Sequence, residues 1–119
     1  MKKITQLLFL LLISSGVFGQ DLKGKWNGSL SVQGNQYRIV FHVDQKNNQY
    51  TATMDSPDQD SKDVPVTAIS FNSPNVKFEI SNIGMSYEGD LSDNRITGLW
   101  KQAGQSFPLV MSKENVSKE

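Results

Sequence analysis

His42 is the single histidine of this 119-residue chain, and the chain has no cysteine. Nucleophilic hydrolysis needs a base beside a serine or a thiol. Serines are plentiful, but none stands in the Gly-x-Ser-x-Gly turn that exposes a hydrolase nucleophile. Gly104-Gln105-Ser106-Phe107-Pro108 lacks the last glycine and precedes a strand rather than a helix. His42 alternates out of phase with Tyr37 and Phe41, which puts it outward with Arg38 and Asp44 as a solvated imidazole. Thiol catalysis and thiolate metal sites have no residue to carry them. No catalytic residue is assigned.

Carboxylates are the next candidates. Asp55, Asp58, Asp60 and Asp63 crowd the polar stretch 54–65. Oxygen ligands in a short loop suit calcium, but the spacing lacks the central Gly and terminal Glu of the helix–loop–helix calcium site. The plainer reading is a solvated turn in which Asp55 or Ser56 bonds local amides. Glu79, Glu88 and Asp90 fall on outward strand positions, where surface charge explains them better than paired acid–base chemistry. A lone histidine makes no zinc site. A phosphate-cradling loop would have to open a helix, and no useful stretch has a 3.6-residue period. No metal and no cofactor is expected.

The elements that hold these residues are strands. Trp26, Gly28, Leu30 and Val32 fall on every second position, the mark of a strand with one buried face. Gln33-Gly34-Asn35 turns the chain, and Tyr37, Ile39, Phe41 and Val43 alternate back, giving a hairpin. After Lys46-Asn47-Asn48, Tyr50, Ala52 and Met54 share a third face. Residues 54–65 read as a long polar loop, with Pro57 and Pro65 fixing its path. Beyond it Thr67, Ile69 and Phe71, then Val76, Phe78 and Ile80, alternate around the turn at 72–75. Residues 82–84 break the pattern. Met85, Tyr87, Gly89 and Leu91, then Ile96, Gly98 and Trp100, then Phe107, Leu109 and Met111 complete it, with turns at 92–94 and 103–104. Eight short strands at roughly 8–12-residue spacing argue an all-β antiparallel meander, closed or nearly closed into a lipocalin-like barrel. Closure would remove edge strands that invite pairing with other chains.

The first residues read as an address rather than as fold. Lys2 and Lys3 precede an apolar core at 7–13, and Val17 and Gly19 stand at the −3 and −1 positions of a cut before Gln20, the pattern of a secretory signal peptide over residues 1–19. Its core is shorter than the roughly 18 residues of a membrane span. The expected location is therefore periplasmic or secreted, with no membrane insertion after cleavage. Residues 20–112 form one domain, and residues 113–119 a polar tail that frays. Lys and Arg total 12, as do Asp and Glu. Since Lys2 and Lys3 lie in the leader, the mature chain is slightly acidic and has no basic stripe for nucleic acid.

Nine aromatic residues of the mature chain, Trp26, Tyr37, Phe41, Tyr50, Phe71, Phe78, Tyr87, Trp100 and Phe107, lie in expected strands. Each buries roughly 150–250 Å², so they either fill the interior or line a cavity for one small ligand.

Several short strings together resemble a known family. Gly24-x-Trp26-x-Gly28-x-Leu30 opens the series, followed by Arg38-Ile39-Val40-Phe41. Met54-Asp55-Ser56-Pro57-Asp58-Gln59 precedes Val64-Pro65-Val66. Tyr87-Glu88-Gly89 leads to Ile96-x-Gly98-x-Trp100-x-Gln102-x-Gly104-x-x-Phe107-Pro108-Leu109. The set resembles the β-rich N-terminal accessory domain of secreted bacterial α/β-hydrolases of the esterase type; the Gly-x-Trp start also resembles a calycin. The resemblance implies a fold and a neighbourhood. In that family the catalytic Ser, Asp and His belong to the hydrolase domain that follows, and no residue here matches them.

The resulting expectation is a non-catalytic exported module that binds an unidentified small ligand or a partner protein. The alternatives are a carrier of a small apolar ligand and a remnant of an esterase. The candidate binding residues are Asp55, Ser56, Pro57, Asp58 and Gln59 of the polar stretch, with Trp26, Tyr37 and Trp100. Long loops on rigid scaffolds often carry binding.

Overall fold

The computed structural model describes residues 21–114. The leader assigned to residues 1–19 lies outside them. Nine strands form one antiparallel sheet curled into a half-barrel. They are β1 (Gly24–Val32), β2 (Asn35–Lys46), β3 (Gln49–Ser56), β4 (Ser61–Pro65), β5 (Ala68–Asn72), β6 (Asn75–Ile80), β7 (Met85–Ser92), β8 (Arg95–Gln102) and β9 (Gln105–Lys113). The order across the sheet is β4-β3-β2-β1-β9-β8-β7-β6-β5. The all-β antiparallel meander expected from period-two alternation is therefore present, with nine strands where about eight were expected, and the closed or nearly closed barrel takes the form of a curled half-barrel.

Four hairpins turn on two residues that both take positive φ: Gln33-Gly34, Asn47-Asn48, Asp93-Asn94 and Ala103-Gly104. Such turns match the right-handed twist of the strands they join, and they lock the register on each side. Trp26 lies opposite Phe41, Phe41 opposite Met54, and Trp100 opposite both Tyr87 and Phe107. These inward residues thus meet other inward residues across the ladder.

The ninth strand comes out of the polar stretch. Residues 54–65 are a hairpin and not a long loop. β3 runs on to Ser56, a single 3₁₀ turn covers Pro57–Gln59, Asp60 takes the left-handed conformation with its N–H on the Pro57 carbonyl at 3.2 Å, and β4 returns along β3. The turn built by Ser81–Ile83 and Gly84 between β6 and β7 has the same form. It explains the break in alternation at 82–84.

The two edge strands are consecutive in the chain. Only Val66 and Thr67 separate β4 from β5, and they face different neighbours. The Val66 N–H bonds the Ala52 carbonyl of β3 at 3.0 Å, and the Thr67 N–H bonds the Glu79 carbonyl of β6 at 2.7 Å. The two margins of the curled sheet are tied together at this one point, and the rings of Tyr50 and Phe71 meet edge-on at 6.0 Å beside it.

The core is filled at its centre. Phe41 and Phe78 have ring centroids 4.6 Å apart, and Tyr87 lies 6.2 and 6.3 Å from them. Burial pushes the Tyr87 phenol pKa far up, so the hydroxyl stays protonated, and it donates to the Leu109 carbonyl at 2.7 Å, with the Ile96 carbonyl at 3.2 Å. Leu22, ahead of β1, is also fully buried and accepts the Trp26 Nε1–H at 2.8 Å. The tail expected to fray from Lys113 is held at its first two residues: the Lys113 N–H bonds the Asn94 carbonyl and the Glu114 N–H bonds the Lys25 carbonyl.

Candidate functional site

The interior opens at the end where β1 turns into β2 and β8 into β9. A cleft of about 260 Å³ is walled there by Leu30, Val32, Tyr37, Ile39 and Phe107 and floored by Trp100. A second, of about 280 Å³, lies between Met54, Ser56, Val64 and Ile83. Gln59, Trp100 and Gln102 belong to both. Neither cleft has a charged side chain in its wall. An apolar concavity with a few convergent polar groups is the usual form of a small-molecule site.

Strand parity explains why these residues converge. Tyr37 shares a face with Ile39 and Phe41, and Phe107 shares one with Leu109 and Met111. Trp100 is buried and its Nε1–H donates to Gln102 Oε1 at 3.0 Å, while Gln102 Nε2 donates to the Ile83 carbonyl at 3.1 Å. Gln102 therefore fixes the indole and ties it to the second 3₁₀ turn. Across the opening, Ser56 Oγ donates to Gln59 Oε1 at 2.7 Å. Among the described residues Ser56 is the one buried polar residue, at 1% exposure, so its hydroxyl needs this partner.

The candidate residues separate into two groups. Ser56, Gln59, Tyr37 and Trp100 come together at the opening. Trp26 does not: it is fully buried in the other half of the interior, where Lys113 Nζ stands 5.3 Å from its ring and donates to the Asp21 carbonyl. It packs and does not line a cleft.

Asp55, Pro57 and Asp58 turn away from the opening. Asp55 Oδ2 pairs with His42 Nε2 at 2.9 Å, and Asp55 Oδ1 accepts the Asp63 N–H at 2.8 Å. The Asp63 amide, more than the His42 imidazole, holds the Asp55 carboxyl below the usual range. His42 is outward, as its parity requires, but paired rather than simply solvated. Asp58 accepts from the guanidinium and, to a lesser degree, the backbone N–H of Arg38, which hold its carboxyl below the usual range. Pro57 lies beside Asp55, Asp60 and Lys62 along a shallow outer groove. Among the described residues, no three His, Asp or Glu side chains are grouped to hold a cation.

Gln102, Gln105 and Phe107 also line the opening, although the sequence reading did not single them out as site residues. The signal for Gln102 was its parity: it shares the inward face of Trp100, where a polar side chain is out of place unless it does something. A further concavity, about 440 Å³, is a shallow trough on the outer surface between Glu79, Ser86, Lys101 and Ser106.

No known protein family, curated protein or solved structure matches the chain.

Proposed function

We propose that this protein is a non-catalytic binding module that takes a small, uncharged, largely apolar ligand at the open end of its half-barrel. The observation that carries the reading is the convergence of Tyr37, Trp100, Phe107 and Gln59, from four separate elements, on an uncharged cleft of about 260 Å³. An apolar wall recovers the hydrophobic contribution of the ligand's body, roughly 25 cal/mol per Å² removed from water. The absence of charge along the wall disfavours ions, which would lose hydration without a partner. The Tyr37 hydroxyl bonds no other described side chain, and it can orient a polar group on the ligand. The cleft is slightly smaller than the roughly 300–1,000 Å³ of drug-sized sites, which suits one ring or a short chain. The signal-like pattern of the leader sequence supports a location outside the cytoplasm, as part of the same proposal.

Titration of the isotopically labelled chain with cyclohexanol, followed by 1H–15N spectra, tests this reading. The expected result is saturable shifts centred on Tyr37, Gln59, Trp100 and Phe107. Shifts confined to the outer trough beside Lys101, or none at all, would refute it.

A further inference from the structure

We infer that the two clefts are halves of a single site, that the Gln59 carboxamide is a built-in stand-in between them, and that the ligand is a linear molecule with a neutral carbonyl head and an apolar tail. This rests on the reading of the open end as a ligand site and names the ligand's chemistry. The argument begins at Ser56. Ser56 is buried at the cleft that Met54 and Val64 also line, and a buried donor left unpaired is destabilising. Its partner is Gln59 Oε1, a carbonyl oxygen, at 2.7 Å. Gln59 itself is exposed, and its single 3₁₀ turn contains no buried residue. A side chain that solvent can reach thus satisfies a hydroxyl that solvent cannot.

Gln59 also lines both clefts, so it stands where they would join above Trp100. Rotating it into solvent costs little at its own end, because water solvates the freed amide. At the other end it strands the Ser56 hydroxyl, and only an incoming acceptor restores that bond. A carbonyl on the ligand does so in the same position. The tail then runs over Trp100 into the cleft between Leu30, Ile39 and Phe107. A carboxylate head is disfavoured, because neither cleft supplies a cation.

Hexanamide is the probe, added to the whole chain, to Gln59→Ala and to Ser56→Ala/Gln59→Ala, with 1H–15N spectra reporting both folding and affinity. Gln59→Asn, too short to span to Ser56, serves as a second plug-removing variant. Gln59→Ala and Gln59→Asn are expected to bind hexanamide on the order of tenfold more tightly than the parent, the size of one buried hydroxyl regaining its acceptor, and the double variant is expected to lose that gain. Equal affinity in all four proteins, with shifts still centred on Tyr37 and Trp100, overturns the stand-in role of Gln59 but leaves the ligand site intact. No shifts at Tyr37 or Trp100 in any of the four overturns both.

Discussion

Asp58 grips Arg38 at three points: Oδ2 accepts the Arg38 backbone N–H at 2.7 Å and its Nε at 3.2 Å, and Oδ1 accepts Nη2 at 2.8 Å. The 3₁₀ turn that carries Gln59 is thereby fastened to β2, one residue from Tyr37. A stretch that looked like a free loop is a strap whose acid points outward and whose amide points over the cleft.

Arg38→Ala is expected to raise the Asp58 pKa only part of the way to the ordinary value of about 3.9, because the Arg38 backbone N–H still donates. The shift is downward on folding, so the stabilisation from this pair is fully present above about pH 4 and is lost as the pH falls through the folded value. A carbon-detected carboxyl titration of parent and variant measures both points. An unshifted Asp58 in the variant would show that the guanidinium contributes nothing.

Asp55 joins three strands, through His42 of β2, its own β3 and the Asp63 amide of β4. Asp63 has φ 56°, and the ladder between β3 and β4 slips between Met54 and Ser56, so the carboxylate takes over where a backbone bond is missing. Asp55→Ala should speed hydrogen exchange across β4 on the order of tenfold, with β7 and β8 unaffected. Uniform acceleration across the sheet would instead mean global destabilisation.

Tyr87→Phe keeps the ring among Phe41 and Phe78 and removes the hydroxyl that the Leu109 and Ile96 carbonyls share. Urea denaturation should show a loss of about 1–2 kcal/mol. Phe41→Ala, which opens the centre of the core, should cost about 3–5 kcal/mol.

Gly89 and Gly98 are direct partners across β7 and β8. A Cβ on Gly98 would press on the Glu88 carbonyl oxygen and lie 2.7 Å from the Gly89 Cα. Both obstacles are backbone, so they cannot rotate aside, and glycine in a strand commonly marks such close approach. Gly98→Ala should destabilise the domain by about 1–3 kcal/mol, measured by the shift in urea midpoint; a midpoint equal to the parent's would mean that the strands separate freely.

The two tryptophans give separate optical reports. Trp100 floors the cleft and Trp26 does not. A Trp26→Phe protein should keep the fluorescence change caused by cyclohexanol, and a Trp100→Phe protein should lose it. The reverse result would place the ligand in the other half of the interior.

Much of this fold was legible in the chain, because period-two alternation and turn chemistry are local. Asn47-Asn48 and Gly34 accept positive φ, and each inward residue is set by counting from its neighbour. The ninth strand was not legible: β4 reads Ser-Lys-Asp-Val-Pro, a polar edge with an acid in the left-handed region, and its strand character comes from pairing with β3. The curl into a half-barrel depends on the change of neighbour between Val66 and Thr67, which no local pattern announces.

The sequence by itself determined which strand residues could face inward, Tyr37 and Trp100 among them, but not Ser56, which lies in a stretch that reads as a loop. The tertiary structure decided where along the interior each one sits. Trp26 and Trp100 follow the same Gly-x-Trp spacing and are both buried, yet one packs under Leu22 and the other floors an open cleft. Likewise Asp58 and Gln59 are adjacent in the chain, but one is committed to Arg38 and the other to Ser56. Parity fixes a side chain's face; only the ladder register and the tie between the sheet's margins fix its neighbours, and neighbours decide whether a residue packs, clamps or meets a ligand.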